Sequence, residues 1–235
     1  VSNGAVIWEG RSLLNGKPIV CIVTGLTQPS ANEKTGDMLQ TWILLRDVHP
    51  GQAVQTGADR AVCGSCPHAG GNSCYVQVWR APAGIWSAYK AGSYLKQDAS
   101  VVAQKAAGRA IRLGAYGDPA AVPSHVWQAL LSHTDRWTGY THQWRKRPDL
   151  AKWLMASVDS DAERADAQSR GWRTFRVMPA RGWTVGRSEV MCPASEEAGK
   201  LTVCADCRLC SGTASQGKSV AIPAHGSKRF GLAVA

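Results

Sequence analysis

Seven of the eight cysteines fall into two short stretches, and this clustering constrains the chain more than any other feature. Cys63-Gly-Ser-Cys66 is followed by Cys74, and Cys192-Pro is followed by Cys204-Ala-Asp-Cys207-Arg-Leu-Cys210. Two residues between cysteines lets one tight turn aim both sulfurs at a single ion or cluster. A disulfide framework belongs to small secreted chains, whereas 235 residues can bury a core without bridges. No apolar run approaches the ~20 residues of a membrane helix. Residues 1–8 lack the basic start and apolar stretch of a secretion signal. The expectation is therefore a soluble cytoplasmic protein without membrane contact, its thiols reduced and available to metal.

The two groups differ in what they can hold. Structural zinc with four thiolates comes as two Cys-x2-4-Cys pairs, not as a triplet plus a singleton. Cys192, Cys204, Cys207 and Cys210 instead resemble, in reversed order, the Cys-x2-Cys-x2-Cys and Cys-Pro elements of bacterial-type ferredoxins. Their spacing favours a [4Fe–4S] cluster. Cys63, Cys66 and Cys74 offer three thiolates and no fourth, which would leave one iron open to another ligand. His68 is the residue that would close such a group as a Cys3His site, zinc included. Cys21 lies in the apolar run Ile19-Val-Cys21-Ile-Val23 and reads as a small core residue.

Along the chain, residues 17–24 and 38–45 are β-rich, and residues 25–36 between them form a polar loop whose glycine spacing is not that of a P-loop. Residues 75–78 suggest a short strand and residues 82–89 a helix. From residue 109 the pattern alternates: strands over 110–114, 138–144, 153–158 and 173–178, helices over 123–133 and 161–170. Alternation of this kind predicts an α/β fold with a parallel sheet, open or curled into a partial or complete βα barrel. Chemistry in such folds collects at the C-terminal strand ends. Those ends carry Gly117-Asp118, His142, Ser157–Asp159 and Arg176. Residues 1–187 are expected to form the main domain, with 188–235 as a Cys-rich metal-binding lobe ending in a tail.

The segment Arg112-Leu-Gly-Ala-Tyr-Gly117-Asp118-Pro119 resembles a hallmark of the radical-SAM superfamily, a strand ending in a Gly-Gly-Glu-Pro-type turn. Gly117, Asp118 and Pro119 match its last three positions, with Asp in place of Glu. In that superfamily the turn holds the methionyl amine of S-adenosylmethionine, so the resemblance implies S-adenosylmethionine binding at these three residues and a radical-SAM-like barrel. Tyr75 after Cys74 matches the aromatic that often flanks the last cluster cysteine. The cysteine spacing departs from the superfamily: Cys-x2-Cys-x7-Cys stands where Cys-x3-Cys-x2-Cys is expected. The chain is also similar, over residues 32–226, to conserved bacteriophage-encoded proteins without a settled activity. Those carry the Cys-x2-Cys-Pro-His, Gly-Asp-Pro, Thr-Gly-Tyr-Thr-His and Cys-Pro-Ala-Ser pieces, and the likeness places the protein in a host cytoplasm.

Charge points in a second direction. Lys and Arg number 27 against 17 Asp and Glu, a surplus suited to polyanions or anionic substrates. Between residues 136 and 187, eleven basic residues face five acidic ones, interleaved with Trp137, Trp144, Trp153, Trp172 and Trp183. Such aromatics can stack on unpaired bases, although no nucleic-acid-binding signature accompanies them. The leading expectation is an iron–sulfur protein performing redox or radical-SAM-like chemistry on an unknown substrate, with Asp118 and His142 at the open iron. The alternative is a zinc-stabilised nucleic-acid-binding module without catalysis.

Overall fold

The computed structural model describes residues 2–30, 32–70 and 72–225. The tail expected after residue 225 lies outside them. The fold begins with a meander of β1 (Gly4–Arg11), β2 (Pro18–Thr24) and β3 (Leu39–Leu45), each antiparallel to the next. Every residue of β2 after Pro18 is buried, as expected of a β-branched run covered on both faces. Next come α1 (Pro50–Thr56), α2 (Arg60–Cys63), α3 (Ala81–Lys90), β4 (Leu95–Lys96) and α4 (Ala99–Lys105). The alternating part then supplies β5 (Ile111–Tyr116), α5 (Ser124–Leu130), β6 (Trp137–Thr141), β7 (Met155–Val158), α6 (Asp161–Ser169) and β8 (Thr174–Met178).

The Cys-rich segment adds β9 (Glu189–Met191), the single-turn α7 (Cys204–Cys207) and β10 (Ser219–Pro223). Among the described residues ten strands form one sheet in the order β4-β1-β2-β3-β5-β6-β7-β8-β10-β9, and every pairing outside the meander is parallel. The fold is thus α/β with a large, mostly parallel sheet. Among the described residues its ladder is linear: β4 and β9 each have one neighbour, so these strands do not pair into a closed barrel. Residues 188–223 extend this sheet, because β10 inserts between β8 and β9.

Side-chain alternation divides the parallel strands between two cores. Ile111, Leu113, Ala156 and Val158 join the large core, with Val126, Trp127 and Leu130 of α5 and Ala167 of α6. Met155, Val220 and Ile222 point the other way and pack with Cys192, Ala194 and Cys210. Helices cover one face and the Cys-rich segment the other. Helix α6 forms where Ser160 accepts from the Glu163 N–H and Asp161 and Glu163 occupy the positive first turn.

Residues 75–78 form no strand in this structure; Tyr75 and Val76 line the cavity described below, and Val78 joins the large core. Arg176 does not stand at a strand end. It lies within β8 and makes a two-pronged pair with the buried Glu189, Nε to Oε1 at 2.9 Å and Nη2 to Oε2 at 2.7 Å.

Candidate metal centre

A cavity of about 1200 Å³ lies over the cysteine-covered face of the parallel strands. Its floor is made by alternate residues, Arg112, Gly114 and Tyr116 of β5, Tyr140 of β6 and Phe175 of β8, with His142 just beyond β6. Cys63, Cys66 and Cys74 line it from one side, and Cys192, Cys204, Cys207 and Cys210 from the other. All eight cysteines are free thiols. Cys21 is fully buried in β2 and does not line the cavity.

Local backbone geometry presents the sulfurs. Helix α2 ends at Cys63 because Gly64 turns the chain at φ +59°, and a Cβ there would meet the Gln143 side chain at 2.6 Å. Gln143 secures this turn, donating to the Cys63 carbonyl and accepting from Ser65 Oγ at 3.0 Å. The Cys66 N–H bonds the Cys63 carbonyl, and the Cys74 N–H bonds that of His68. On the other wall, α7 carries Cys204 and Cys207 one turn apart, hence on one face. Arg208, left-handed at φ +59°, then reverses the chain, and the Cys210 carbonyl accepts from Gly139 N–H in β6. The polar loop after β2 serves this wall too, its Lys34 carbonyl accepting from the Cys204 N–H.

Burial pushes the thiols of Cys63, Cys74, Cys192, Cys204 and Cys210 above their ordinary range. Several groups work against it. The Val76 N–H bonds Cys74, the Ala194 N–H bonds Cys192, and the Tyr140 hydroxyl bonds Cys210. Arg112 and Lys34 place positive charge near Cys204. Donors and cations aimed at sulfur are what thiolate ligands of a cluster require. Asp59 Oδ1 and the Tyr116 hydroxyl, near the first group, are buried without hydrogen-bond partners.

Asp118 closes the turn after β5. Its Oδ1 accepts from Ala120 N–H and its Oδ2 from His142 N–H, both at 2.9 Å. Burial raises its carboxyl, against these bonds and one with Thr141. Gly117, at φ +81°, is required: a Cβ would lie 2.7 Å from the Ile43 carbonyl oxygen. Gly117 and Asp118 line the cavity, while Pro119 begins a buried 3-10 turn behind them.

His68 is not grouped with the first three cysteines. Its Nδ1 lies 2.6 Å from Ser73 Oγ and its Nε2 2.8 Å from Asp159 Oδ1. His142 Nε2 lies 3.5 Å from Asp159 Oδ2, and the two imidazoles meet edge to face. Burial lowers the His142 imidazole, but Asp159 and Cys66 outweigh it and push it up to about 10. Burial likewise raises Asp159, and the two histidines overcome it, holding the carboxyl below the usual range. Among the described residues, only His68, His142 and Asp159 bring three such ligand atoms within 4.8 Å of one another. These residues stand up to 91 positions apart, so no spacing motif announces their meeting.

The tryptophans of the basic region are mostly core. Trp144, Trp153 and Trp172 are 1%, 9% and 3% exposed, and Arg145 and Lys152 lie over the first two rings. Among the described residues, no helix is long and apolar enough to cross a membrane. Comparisons of the chain with family models, with curated proteins and with solved structures find no match.

Proposed function

We propose that the chain is an iron–sulfur protein that carries out redox or radical-SAM-like chemistry on a small molecule in the cavity. One observation carries this reading: seven unpaired thiols from two distant segments converge on a single cavity over the parallel strands. Cys192, Cys204, Cys207 and Cys210 would hold one [4Fe–4S] cluster, and Cys63, Cys66 and Cys74 a second with an open iron. The cluster would supply single electrons.

The chain's own groups do the rest. Backbone N–H groups, the Tyr140 hydroxyl, Arg112 and Lys34 stabilise negative sulfur. Asp118 is a positioning residue, tying the end of β5 to the backbone of His142 so that both stay at the cavity wall. The Gly117–Pro119 turn is where S-adenosylmethionine would be held, as the radical-SAM resemblance implies. A sheet with helices on one face and a cavity on the other is also compatible with a partial βα barrel. Likeness to the phage-encoded group stays part of the same proposal.

Zinc has less support in either cysteine group. Four sulfurs at about 2.3 Å from one zinc lie about 3.8 Å apart. Among the described residues, no three cysteine sulfurs are grouped as closely as that. A nucleic-acid platform also loses three of its five stacking surfaces to the core.

The test is iron and acid-labile sulfide in anaerobically purified protein, followed by reductive cleavage of S-adenosylmethionine. Brown protein with stoichiometric iron and sulfide is expected. Colourless protein with stoichiometric zinc, binding single strands most tightly at low salt, would replace this function with the alternative. An intact cluster that leaves S-adenosylmethionine uncleaved removes the radical arm and keeps the redox one.

A further inference from the structure

His68, His142 and Asp159 meet beside Cys66, whose thiol bonds the His142 ring, and the two histidines line the same cavity. One tautomer of His68 satisfies both its neighbours, with Ser73 donating to Nδ1 and Nε2–H donating to Asp159 Oδ1. It does nothing for His142. That ring's Nε2 is buried without a hydrogen-bond partner, 3.5 Å from the second carboxylate oxygen. Its backbone is fixed by Asp118. Asp159 is fixed as well, its N–H donating to Glu163 Oε2 at 3.0 Å from the first turn of α6.

We propose that these three side chains form a sulfur-free site for one divalent first-row transition ion, Fe2+ or Zn2+, with its remaining positions open to the cavity. The distances fit. Nitrogen and oxygen ligands at about 2.0–2.2 Å and angles between octahedral and tetrahedral stand about 2.8 to 3.5 Å apart. The two His–Asp separations, one to each carboxylate oxygen, are 2.8 and 3.5 Å, and the three ligand atoms lie within 4.8 Å of one another. Two imidazoles and one carboxylate are the donor set of open, reactive ferrous and zinc sites. A cation among them accepts the unpartnered Nε2 of His142 and the Nε2 of His68, now unprotonated. His68 Nδ1–H then donates to Ser73 Oγ, the outer hydrogen bond that metal-bound histidines keep. Both histidines line the cavity, so an ion held here would face whatever the cavity binds. None of its three donors is sulfur, although Cys66 stands against His142.

Co2+ titration of the full chain tests the site, with metal analysis and acid-labile sulfide measured on the same samples. Wild type is compared with Asp159→Asn, His142→Gln and Ser73→Ala, each checked for fold by circular dichroism. The expected result is one Co2+ equivalent fewer in the first two variants. The lost absorbance should show d–d bands without thiolate-to-cobalt charge transfer. Ser73→Ala should retain the site with affinity weakened about tenfold or more. Should Asp159→Asn fail to fold, Ser73→Ala, a change in a surface loop, still reads it. Equal Co2+ stoichiometry and affinity in all four proteins overturns the site, as does a lost signal that carries sulfur charge transfer. Sulfide content reports the clusters separately, so either proposal can fail alone.

Discussion

The antiparallel and parallel portions of the sheet treat cysteine in opposite ways. Cys21, in the middle of β2, is surrounded by Ile and Val and has neither a cavity nor a polar partner near its sulfur. Cys210 is nearly as buried, yet it receives the Tyr140 hydroxyl and lines a cavity with six other thiols. Burial alone therefore says little about a thiol. What separates the two is whether the surrounding backbone and side chains offer positive partial charge to sulfur.

The largest expected effect breaks that comparison if it fails. On the proposed function, Cys204→Ser should lose the iron and sulfide of the cluster proposed there, read by metal and sulfide analysis, while Cys21→Ala keeps both. The next effect is on stability. Arg176→Met leaves Glu189 charged and buried against β8, which should cost about 3–5 kcal/mol in urea unfolding. Adding Glu189→Leu should recover most of that. Gly117→Ala meets both an unfavourable φ and the backbone of β3, and should cost about 2–4 kcal/mol by the same measurement.

Cys21→Ala should itself cost only about 1–2 kcal/mol, the loss of one sulfur's packing. The smallest effect is that of Asp149, paired with Arg147 at 2.9 Å on the surface. The Arg147 hydrogen bond lowers its carboxyl, so the pair's stabilisation is present above about pH 4 and fades as pH falls through the lowered folded value. Asp149→Asn should remove less than about 1 kcal/mol at neutral pH and flatten that acid limb.

Much of the fold could be read from hydrophobic period. The expected strands over 17–24, 38–45, 110–114, 138–144, 153–158 and 173–178 correspond to β2, β3 and β5–β8, and the helices over 82–89, 123–133 and 161–170 to α3, α5 and α6. What escaped was weakly patterned. β1 begins with Gly4, mixes Trp8 with Glu9 and is bulged at Val6–Trp8. β10 is five residues in a segment poor in large side chains, and it becomes a strand because β8 and β9 lie on either side of it. Residues 75–78 look β-rich but have no strand to pair with.

The cysteines were visible because chelate spacing is local. The joining of His68 to Asp159 was not, since it depends on where β7 ends relative to a loop of the first cysteine group. The available clue was the set of polar residues following parallel strands, which included His142 and Asp159.

The order of elements along the chain has a consequence for how the protein matures. β10 follows Cys210, the last cysteine of the cavity, and pairs with β8 and β9. During synthesis, the second wall of the cavity therefore lacks its flanking strand until residues 219–223 have left the ribosome. If the proposed clusters form, their insertion into a wall completed this late would follow synthesis of that wall, and a cell could time the two separately.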